Sequence, residues 1–384
     1  STLFPDAVRP GFGGFVARQT RALAMLDDVE VTVVAPLGLP PWPLTLHPRY
    51  RSLARLPHVE MMAGLAVHRP RFAVFPGLSA AINPALMARA ALPLIRRLHR
   101  DRRFDVIDAE FFYPDGPAAI RIGRALGLPV SIKARGSDIN LWGRRPACRR
   151  QIVAAANAAD GLLAVSAAQA DALADLEVAR DRIRVHYTGV DLDRFRPRDR
   201  DREKAALGID GPLILQVGTL DDNKGPHLAI GALPHLPGVT LALLGEGPAA
   251  GALTALARRL GVADRTRFPG RVPHDAAARW MAAADVLVAP SANEGLANVW
   301  VEALASGTPV VATRAGGAAE VIDRPAYGRL VERTETAVAA AIADLLADPP
   351  NRAALRRGAR RFSWTANAEA LRAHLLEKSR KSDF

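Results

Sequence analysis

Short runs of β-branched and leucine residues alternate along this chain with longer stretches rich in Ala, Leu and Arg. Such alternation is typical of parallel strands covered by helices on both faces. It predicts strands in the first half at 29–35, 105–109, 130–134, 162–165 and 182–186, and in the second half at 213–217, 240–244, 267–268, 286–289 and 310–313. We therefore expect two doubly wound α/β units, with ligands at the carboxyl ends of the strands.

A chain of 384 residues is too long for one core of ordinary size. Around Arg194 to Gly211 it becomes charged and loses its periodicity, as linkers do. This predicts a first domain over 1–196 and a second over 197–364. The segment 365–384 continues a helical stretch from Asn351 that either caps the second domain or crosses back to the first.

The apolar fraction of 49% and the charged fraction of 23% are ordinary for a soluble globular protein. Cys148 is the only cysteine, so no intrachain disulfide can form, which fits a reducing compartment. No apolar run approaches the roughly 18 residues that span a bilayer, and no signal peptide opens the sequence. We expect a soluble, cytoplasmic protein.

The net charge of +12 is uneven, because most of the excess lies before residue 197. A dense basic run extends from Arg96 to Arg103. It is either a solvated helix face or a surface that meets an anionic membrane. Nucleic acid is disfavoured as a partner, since aromatic residues make up only 5% and do not interleave with the basic ones.

The segment 289–307 contains the most informative pattern. An apolar strand ends at Pro290, a polar turn carries Glu294, and a helix is predicted from about Asn298, its N-cap, to a stop at Gly307. Glu302 then lies about one turn inside that helix. Backbone amides at the start of a helix form a natural anion site.

Two carboxylates beside an anion site, Glu294 and Glu302, have a physical rationale if they accept hydrogen bonds from hydroxyl groups. A carboxylate that accepts from two vicinal hydroxyls is a sound way to hold a ribose or a hexose. The alternative is that Glu302 forms a salt bridge and Glu294 is a solvated turn residue.

Three further segments follow predicted strands. Gly218 ends a buried strand, and Lys224 follows on the next loop, where it could neutralise a diphosphate. Gly245 and Glu246 belong to a tight turn after the next strand. The exposed backbone around Arg271 and Val272 could contact the edge of a nucleobase.

The start of the chain carries the sequence Gly11-Phe12-Gly13-Gly14 almost at once. A glycine-rich loop of this kind normally follows a first parallel strand. Here either the chain is incomplete at its start or that strand is very short.

In combination these segments resemble the retaining glycosyltransferases of family four, which have the GT-B fold of two Rossmann-like domains facing a central cleft. The pair Glu294 and Glu302 carries that family's Glu-x7-Glu mark. The resemblance also rests on the segments Gly218-Thr219-Leu220-x3-Lys224-Gly225, Gly245-Glu246-Gly247-Pro248, Gly307-Thr308-Pro309-Val310-Val311-Ala312 and Gly189-Val190-Asp191-Leu192-Asp193-Arg194-Phe195. It is strong over about 185–325 and looser over the first half.

The resemblance implies an acceptor-binding first domain and a nucleotide-sugar donor held mainly by the second. Glu302 would hold the ribose hydroxyls, Glu294 the hydroxyls of the sugar, and Lys224 the diphosphate. The donor-binding residues implied in full are Gly13, Gly14, Gly218, Thr219, Lys224, Gly245, Glu246, Arg271, Val272, Glu294, Gly295, Leu296, Ala297 and Glu302.

Two positions depart from the family's pattern. Thr219 stands where the family usually has an arginine, so one phosphate-neutralising charge is missing or supplied elsewhere. Arg135 stands where a histidine often lies near the transferred sugar. An arginine cannot act as a base, but it could bind a phosphate or a sugar hydroxyl. The catalytic set implied is Glu294, Lys224 and Arg135.

The expected activity is transfer of a sugar from a UDP- or GDP-linked donor, with retention of configuration and without a metal ion or a bound cofactor. The acceptor would be a glycan or a lipid-linked sugar of cell-surface or exopolysaccharide synthesis, and the enzyme would sit peripherally on the inner membrane face. The alternatives are a non-catalytic nucleotide-sugar-binding protein and a GT-B epimerase. A nicotinamide oxidoreductase is remote, because Gly11-x-Gly13-Gly14 lacks a full dinucleotide fingerprint.

Overall fold

The computed structural model describes residues 1–62, 64–75, 77 and 79–379. The chain forms two compact units. The first unit comprises Ser1–Thr188 together with the chain from Trp364 onward, and the second unit comprises Gly189–Ser363. The sequence placed these junctions after 196 and after 364. Residues 380–384 of the predicted C-terminal segment lie outside the described residues.

The first unit contains short strands and mostly longer helices. Its strands are β1 (Val33–Val34), β2 (Leu37–Leu39), β3 (Val59–Met62), β4 (Leu65–His68), β5 (Arg71–Ala73), β6 (Ile107–Ala109), β7 (Val130–Ala134), β8 (Gly161–Ala164) and β9 (Ile183–Val185). Its helices before the junction are α1 (Gly14–Ala24), α2 (Pro48–Ala54), α3 (Asn83–Arg102), α4 (Asp115–Leu126), α5 (Ser137–Asn140), α6 (Pro146–Ala158) and α7 (Ala167–Ala174).

The strands of the first unit fall into separate sheets. The order β6-β7-β8-β9 forms a parallel sheet, as the sequence predicts for a doubly wound unit. A second sheet has the order β1-β4-β3, and β2 pairs with β5. The sequence missed β2 to β5, because these strands are only three or four residues long, and β3 to β5 are also partly exposed.

The second unit is a regular α/β unit. Its strands are β10 (Leu213–Val217), β11 (Thr240–Leu244), β12 (Thr266–Gly270), β13 (Val286–Ala289), β14 (Val310–Thr313) and β15 (Gly328–Val331). Its helices are α8 (Arg200–Ala206), α9 (Pro226–Ala232), α10 (Ala250–Arg259), α11 (His274–Ala283), α12 (Asn298–Ala305), α13 (Ala318–Val321), α14 (Glu335–Ala347) and α15 (Arg352–Ala359).

The strands of the second unit form one parallel sheet in the order β12-β11-β10-β13-β14-β15. This is the strand order 3-2-1-4-5-6 of a doubly wound sheet, whose direction of winding reverses between β10 and β13. The central strands are buried on both faces, because helices cover both sides of the sheet. The fold of this unit therefore confirms the doubly wound prediction.

The C-terminal stretch forms two helices, α15 and α16 (Trp364–Ser379), and α16 belongs to the first unit. Leu371 and Leu375 of α16 pack with Leu23 and Leu163. His374 Nε2 lies 3.1 Å from Ser131 Oγ on β7. The helix is thus held by apolar packing and by a buried polar contact.

The first residues of the chain form no strand before α1. The amino group of Ser1 donates to the carbonyl oxygen of Val34 at 2.8 Å, and the backbone N–H of Thr2 donates to Asp115 at 2.7 Å. A Cβ at Gly13, whose φ is 63°, would lie 2.5 Å from the carbonyl oxygen of Leu3. Glycine is therefore required at this position by the backbone itself.

Candidate functional site

The candidate site lies in the second unit, at the carboxyl ends of β10 and β13. These neighbouring parallel strands flank the point where the winding of the sheet reverses. Doubly wound sheets bind their ligands at such a switch point, because the loops that leave the two strands diverge and open a crevice. Gly218 and Lys224 follow β10, and Glu294 follows β13.

Lys224 and Glu294 meet across this switch point. The ammonium group of Lys224 donates to Oε1 of Glu294 at 2.5 Å. The side chain of Lys224 is 28% exposed and that of Glu294 is 11% exposed, so solvent reaches the pair mainly from the lysine side. The structure therefore joins a cation and a carboxylate that the sequence predicted separately for the diphosphate and the sugar.

Asn223 ties the two loops together. Its side-chain amide donates to the carbonyl oxygen of Asn293 at 3.1 Å, and its Oδ1 accepts from the N–H of Asn293 at 3.1 Å. Its carbonyl oxygen accepts from the N–H of Ala292 at 2.7 Å. Asn223 was not predicted as a site residue, because nothing local in the sequence shows that these loops are neighbours.

Glycines allow three strand ends to converge. The N–H of Gly218 donates to Leu244 and the N–H of Gly245 donates to Gly270, both at 2.9 Å. A Cβ at Gly245 would lie only 1.8 Å from the carbonyl oxygen of Gly218. Beside them, the aliphatic stem of Lys224 covers Gly218, from which an added Cβ would be 3.7 Å away.

Thr219 and Glu246 lie on the two loops that leave β10 and β11. Both residues are exposed, and the N–H of Leu220 donates to the carbonyl oxygen of Glu246 at 3.1 Å. Arg271 is exposed and Val272 is half-buried after the end of β12. The structure thus brings these four predicted residues to the same edge of the sheet as Lys224.

Helix α12 begins where the sequence predicts, but its cap differs. Asn298 is the first helical residue, whereas Ala297 occupies the N-cap position and offers no side-chain bond. The prediction of Asn298 as N-cap was wrong. At the other end Gly307 adopts a φ of 75°, as a helix stop requires.

The turn between β13 and α12 packs against the backbone of Gly316 and Gly317. The N–H of Gly317 donates to the carbonyl oxygen of Gly295 at 2.9 Å, and a Cβ at Gly316 would lie 2.3 Å from the carbonyl oxygen of Glu294. Leu296 and Ala297 are buried. The turn is therefore fixed, and it aims the first amides of α12 toward the switch point.

Glu302 lies on the second turn of α12 beside His274, the first residue of α11. His274 Nε2 is 3.6 Å from Glu302 Oε1, and the ring of Phe195 contacts the His274 ring edge-on at 5.2 Å. The Glu302 side chain is 13% exposed. His274 was not predicted from the sequence, although it lies two residues after Val272.

The remaining predicted residues lie in the first unit. Gly13 and Gly14 begin α1, and Gly14 has open space around its Cα, since the nearest atom to an added Cβ is 3.9 Å away. Arg135 follows β7, with its side chain 4% exposed. Its guanidinium pairs with the buried carboxylate of Glu110 and lies over the ring of Phe15 at 5.1 Å.

Beneath Arg135 is a buried polar cluster that the sequence analysis did not identify. Lys133 donates to Gln19 Oε1 at 2.8 Å and to Nδ1 of His186. Burial lowers the pKa of Lys133 to about 7 and that of Arg135 to about 10, and it lowers the pKa of His186 well below its usual range. One nitrogen of Arg135, Nη1, is buried without a hydrogen-bond partner.

Over the residues that the structure describes, no group of three or more His, Cys, Asp or Glu side chains is placed to hold a metal ion. Within that same part of the chain, no helix combines the length and the apolar character needed to cross a bilayer.

Comparison with known families matches both halves of the chain. Residues 11–194 match the model described as Glycosyltransferase Family 4, and residues 197–362 match the model described as Glycosyl transferases group 1. A D-inositol 3-phosphate glycosyltransferase of Catenulispora acidiphila is 30% identical over 94% of this chain and 88% of its own length. The chain belongs to glycosyltransferase family 4.

One further relative and one solved structure are also similar to this family 4 chain. A D-inositol 3-phosphate glycosyltransferase of Xylanimonas cellulosilytica is 40% identical, but the match spans only 58% of this chain and 57% of that relative's length. The crystal structure of Anabaena HepE in complex with UDP has a TM-score of 0.75 at 22% identity, over 97% of this chain and 98% of that one. This likeness supports the GT-B class of fold, with Rossmann-like units.

Proposed function

We propose that this family 4 chain transfers a sugar from a UDP- or GDP-linked donor to a glycan or lipid-linked acceptor, with retention of configuration. The observation that carries the proposal is the contact between Lys224 and Glu294 at the switch point of the second unit. A cation for a diphosphate and a carboxylate for sugar hydroxyls are the two groups that such a donor needs side by side.

The donor would lie along the carboxyl edge of the sheet. Its diphosphate would face Lys224 and the first amides of α12, which carry the positive end of the helix dipole. Glu302, one turn further into the helix, would accept hydrogen bonds from the ribose hydroxyls. The exposed backbone around Arg271 would meet the nucleobase.

Glu294 forms an ion pair with Lys224. A bound diphosphate would compete for the ammonium group, and the carboxylate would become available to the hydroxyls of the transferred sugar. This exchange leaves Lys224 with an anionic partner in both states, and the sugar hydroxyls would replace its hydrogen bond to Glu294, because a buried polar group without a partner is costly.

In the transfer step the bond between the sugar's anomeric carbon and the phosphate oxygen breaks, and an acceptor oxygen attacks from the same face. The leaving phosphate takes the acceptor's proton. Lys224 and the amides of α12 would stabilise the charge that grows on the leaving group. This route assigns no metal ion or bound cofactor to the step.

The acceptor would meet the first unit, where Arg135, paired with Glu110, stands in place of the histidine that the family often has. Arg135 keeps one buried nitrogen without a partner, which suits a hydrogen bond to a sugar hydroxyl or a phosphate. The names of the two inositol phosphate relatives make a phosphorylated polyol a reasonable acceptor to test. A glycan or lipid-linked sugar as acceptor would fit cell-surface glycan synthesis.

The basic run at the end of α3 would place the enzyme on the cytoplasmic face of an anionic membrane. Arg96, Arg97, Arg100 and Arg103 are exposed there, and Arg102 pairs with Glu30. A cluster of exposed arginines attracts anionic headgroups over about one Debye length.

The test is a transfer assay with a panel of UDP- and GDP-hexoses and either inositol phosphate or a lipid-linked sugar as acceptor. We expect one donor to release its nucleoside diphosphate and an NMR spectrum to show a retained anomeric configuration. Glu294→Gln should lose most transfer, and Asp344→Asn, in an exposed ion pair with Arg329, should keep it.

Three results would contradict the proposal. Donor binding without turnover would indicate a non-catalytic binding protein, and an altered donor sugar without an elongated acceptor would indicate an epimerase. Transfer with inversion would overturn the mechanism.

A further inference from the structure

Three large apolar side chains project together from the first unit between β2 and α2. Trp42 is 79% exposed, Leu46 is 61% exposed and Leu44 is 52% exposed. We call residues 41–47 the Trp42 loop. Large apolar groups clustered on a surface commonly mark a contact with a membrane or another protein, whereas a single one needs no explanation.

The Trp42 loop exposes its large apolar side chains, whereas the segments on either side of it bury theirs. On either side of it, Leu37 and Leu39 of β2 pack with Leu53 and Leu56 into a small core of their own. The flanking segments therefore bury their leucines normally. The side chains of the loop itself have no comparable role in the core of the first unit.

The loop holds a defined backbone conformation. Leu44–Leu46 form a single 3₁₀ turn, in which the N–H of Leu44 donates to Pro41 and the N–H of Leu46 donates to Pro43, both at 2.9 Å. Prolines have a fixed φ and restrict the backbone further. The loop thus presents its side chains at little cost in conformational entropy on binding.

The surroundings of the loop are positively charged. Arg49, Arg51 and Arg55 of the adjoining α2 segment are all exposed. No acidic residue occurs in the sequence between Glu30 and Glu60. This charge is complementary to an anionic partner, and it would oppose a second copy of the same basic surface.

Tryptophan and leucine beside arginine form the composition that peripheral proteins insert into the headgroup region of a bilayer. The indole suits the boundary between headgroups and acyl chains, while arginines contact anionic lipids. A charged patch alone binds a membrane weakly and is screened by salt, so stable attachment needs an apolar part as well.

We propose that the Trp42 loop inserts into the interfacial region of an anionic membrane, with Arg49, Arg51 and Arg55 contacting the lipid headgroups. The loop supplies the apolar part that attachment by charge alone lacks. This inference rests on the membrane location in the proposed function, but it does not depend on the transfer chemistry.

The experiment uses sedimentation with vesicles of phosphatidylcholine alone or mixed with phosphatidylglycerol. We expect the wild-type protein to bind the mixed vesicles and the triple variant Trp42→Ser/Leu44→Ser/Leu46→Ser to bind at least about tenfold more weakly. The matched control is Met25→Ser, because Met25 is 73% exposed but precedes the acidic residues Asp27 and Asp28. Its binding should equal that of the wild type.

A second measurement reports insertion directly. The only native cysteine, Cys148, is buried, so a Trp42→Cys variant can be labelled selectively with a polarity-sensitive dye. We expect its emission to shift to the blue with mixed vesicles, and the dye on Met25→Cys to show no shift.

The outcomes separate this inference from the proposed function. If Arg96→Glu/Arg100→Glu loses vesicle binding while the triple variant binds normally, the inference is overturned and the membrane location stands. If the wild type binds no vesicles, both are overturned, although donor hydrolysis still tests the transfer chemistry. If the triple variant only abolishes self-association, the loop is an interface between copies and the inference is wrong.

Discussion

The ammonium nitrogen of Lys224 lies 2.5 Å from Oε1 of Glu294, a residue 70 positions further along the chain. The contact joins the loops that leave two neighbouring strands, β10 and β13. It brings a cation for a diphosphate and a carboxylate for sugar hydroxyls to the switch point of a doubly wound sheet.

Removal of the charge at Lys224 should affect transfer far more than stability. We expect Lys224→Ala to lower the transfer rate by about 10²–10³-fold, as does the loss of one donor that stabilises a leaving group. The partly exposed ion pair contributes about 1 kcal/mol or less to the free energy of unfolding. Initial rates and urea unfolding of the same preparations measure both effects, and an equal loss of stability and activity would contradict the assignment.

The close approach of Gly245 to Gly218 makes a sharp structural prediction. An added Cβ at Gly245 would lie 1.8 Å from a backbone oxygen, and the φ of 144° disfavours other residues. We expect Gly245→Ala to destabilise the second unit by about 2–4 kcal/mol.

The control for this substitution is Gly251, which lies in α10 with no atom within 4 Å of an added Cβ. Gly251→Ala should stabilise the protein by about 0.5–1 kcal/mol. Thermal melting of both variants provides the comparison. Similar melting temperatures for the two variants would show that the strand ends are not packed as described.

Arg135 and Glu110 form a buried ion pair in the first unit. Arg135→Ala should therefore destabilise the protein by about 3–5 kcal/mol, because it leaves a buried carboxylate without its cation. The double variant Arg135→Met/Glu110→Leu should cost less than the single one. Urea unfolding checks both, and a larger cost for the double variant would exclude the pair as the cause. Activity of Arg135→Ala alone is consequently a poor measure of its role toward the acceptor.

The docking of α16 on the first unit should weaken in acid. Burial lowers the pKa of His374 to about 4 from an ordinary value near 6.5. The unfolded chain then binds a proton as the pH falls through 6.5, while the folded chain stays neutral until about pH 4. Stability is therefore full above 6.5 and falls by about 1–2 kcal/mol between pH 7.5 and pH 5.

His374→Phe should flatten this dependence, although the buried His186 will retain part of it. The exposed His58 provides the control, since His58→Gln should leave the dependence unchanged. Urea midpoints at the two pH values make the comparison. An undiminished pH dependence in His374→Phe would show that another group is responsible.

The sequence predicted the second unit well, because its signals are local. One stretch of about 20 residues contains a buried run that ends at Pro290, a helix from Asn298 and a helix stop at Gly307. The strands of the first unit were harder to predict from the sequence. Strands β2 to β5 are short, and β3 to β5 are partly exposed, so their apolar pattern does not stand out.

Contacts between distant residues could not be predicted from local signals. The bond from Asn223 to Asn293 and the approach of His274 to Glu302 depend on which loops the sheet brings together. The pairing of Arg135 with Glu110 likewise depends on the neighbouring strands β6 and β7. The sequence indicated which residues have useful chemistry, whereas the topology determines which of them meet.

The central claim is that the second unit holds a nucleotide-diphosphate sugar through Lys224 and Glu302. Isothermal titration of the whole protein with UDP, GDP and their hexose conjugates tests it most directly. We predict that one nucleotide series binds, and that Lys224→Ala and Glu302→Ala each weaken binding by about tenfold or more, while Asp344→Asn has no effect. Unchanged affinity in both site variants, or no binding of either series to the wild type, would contradict the account.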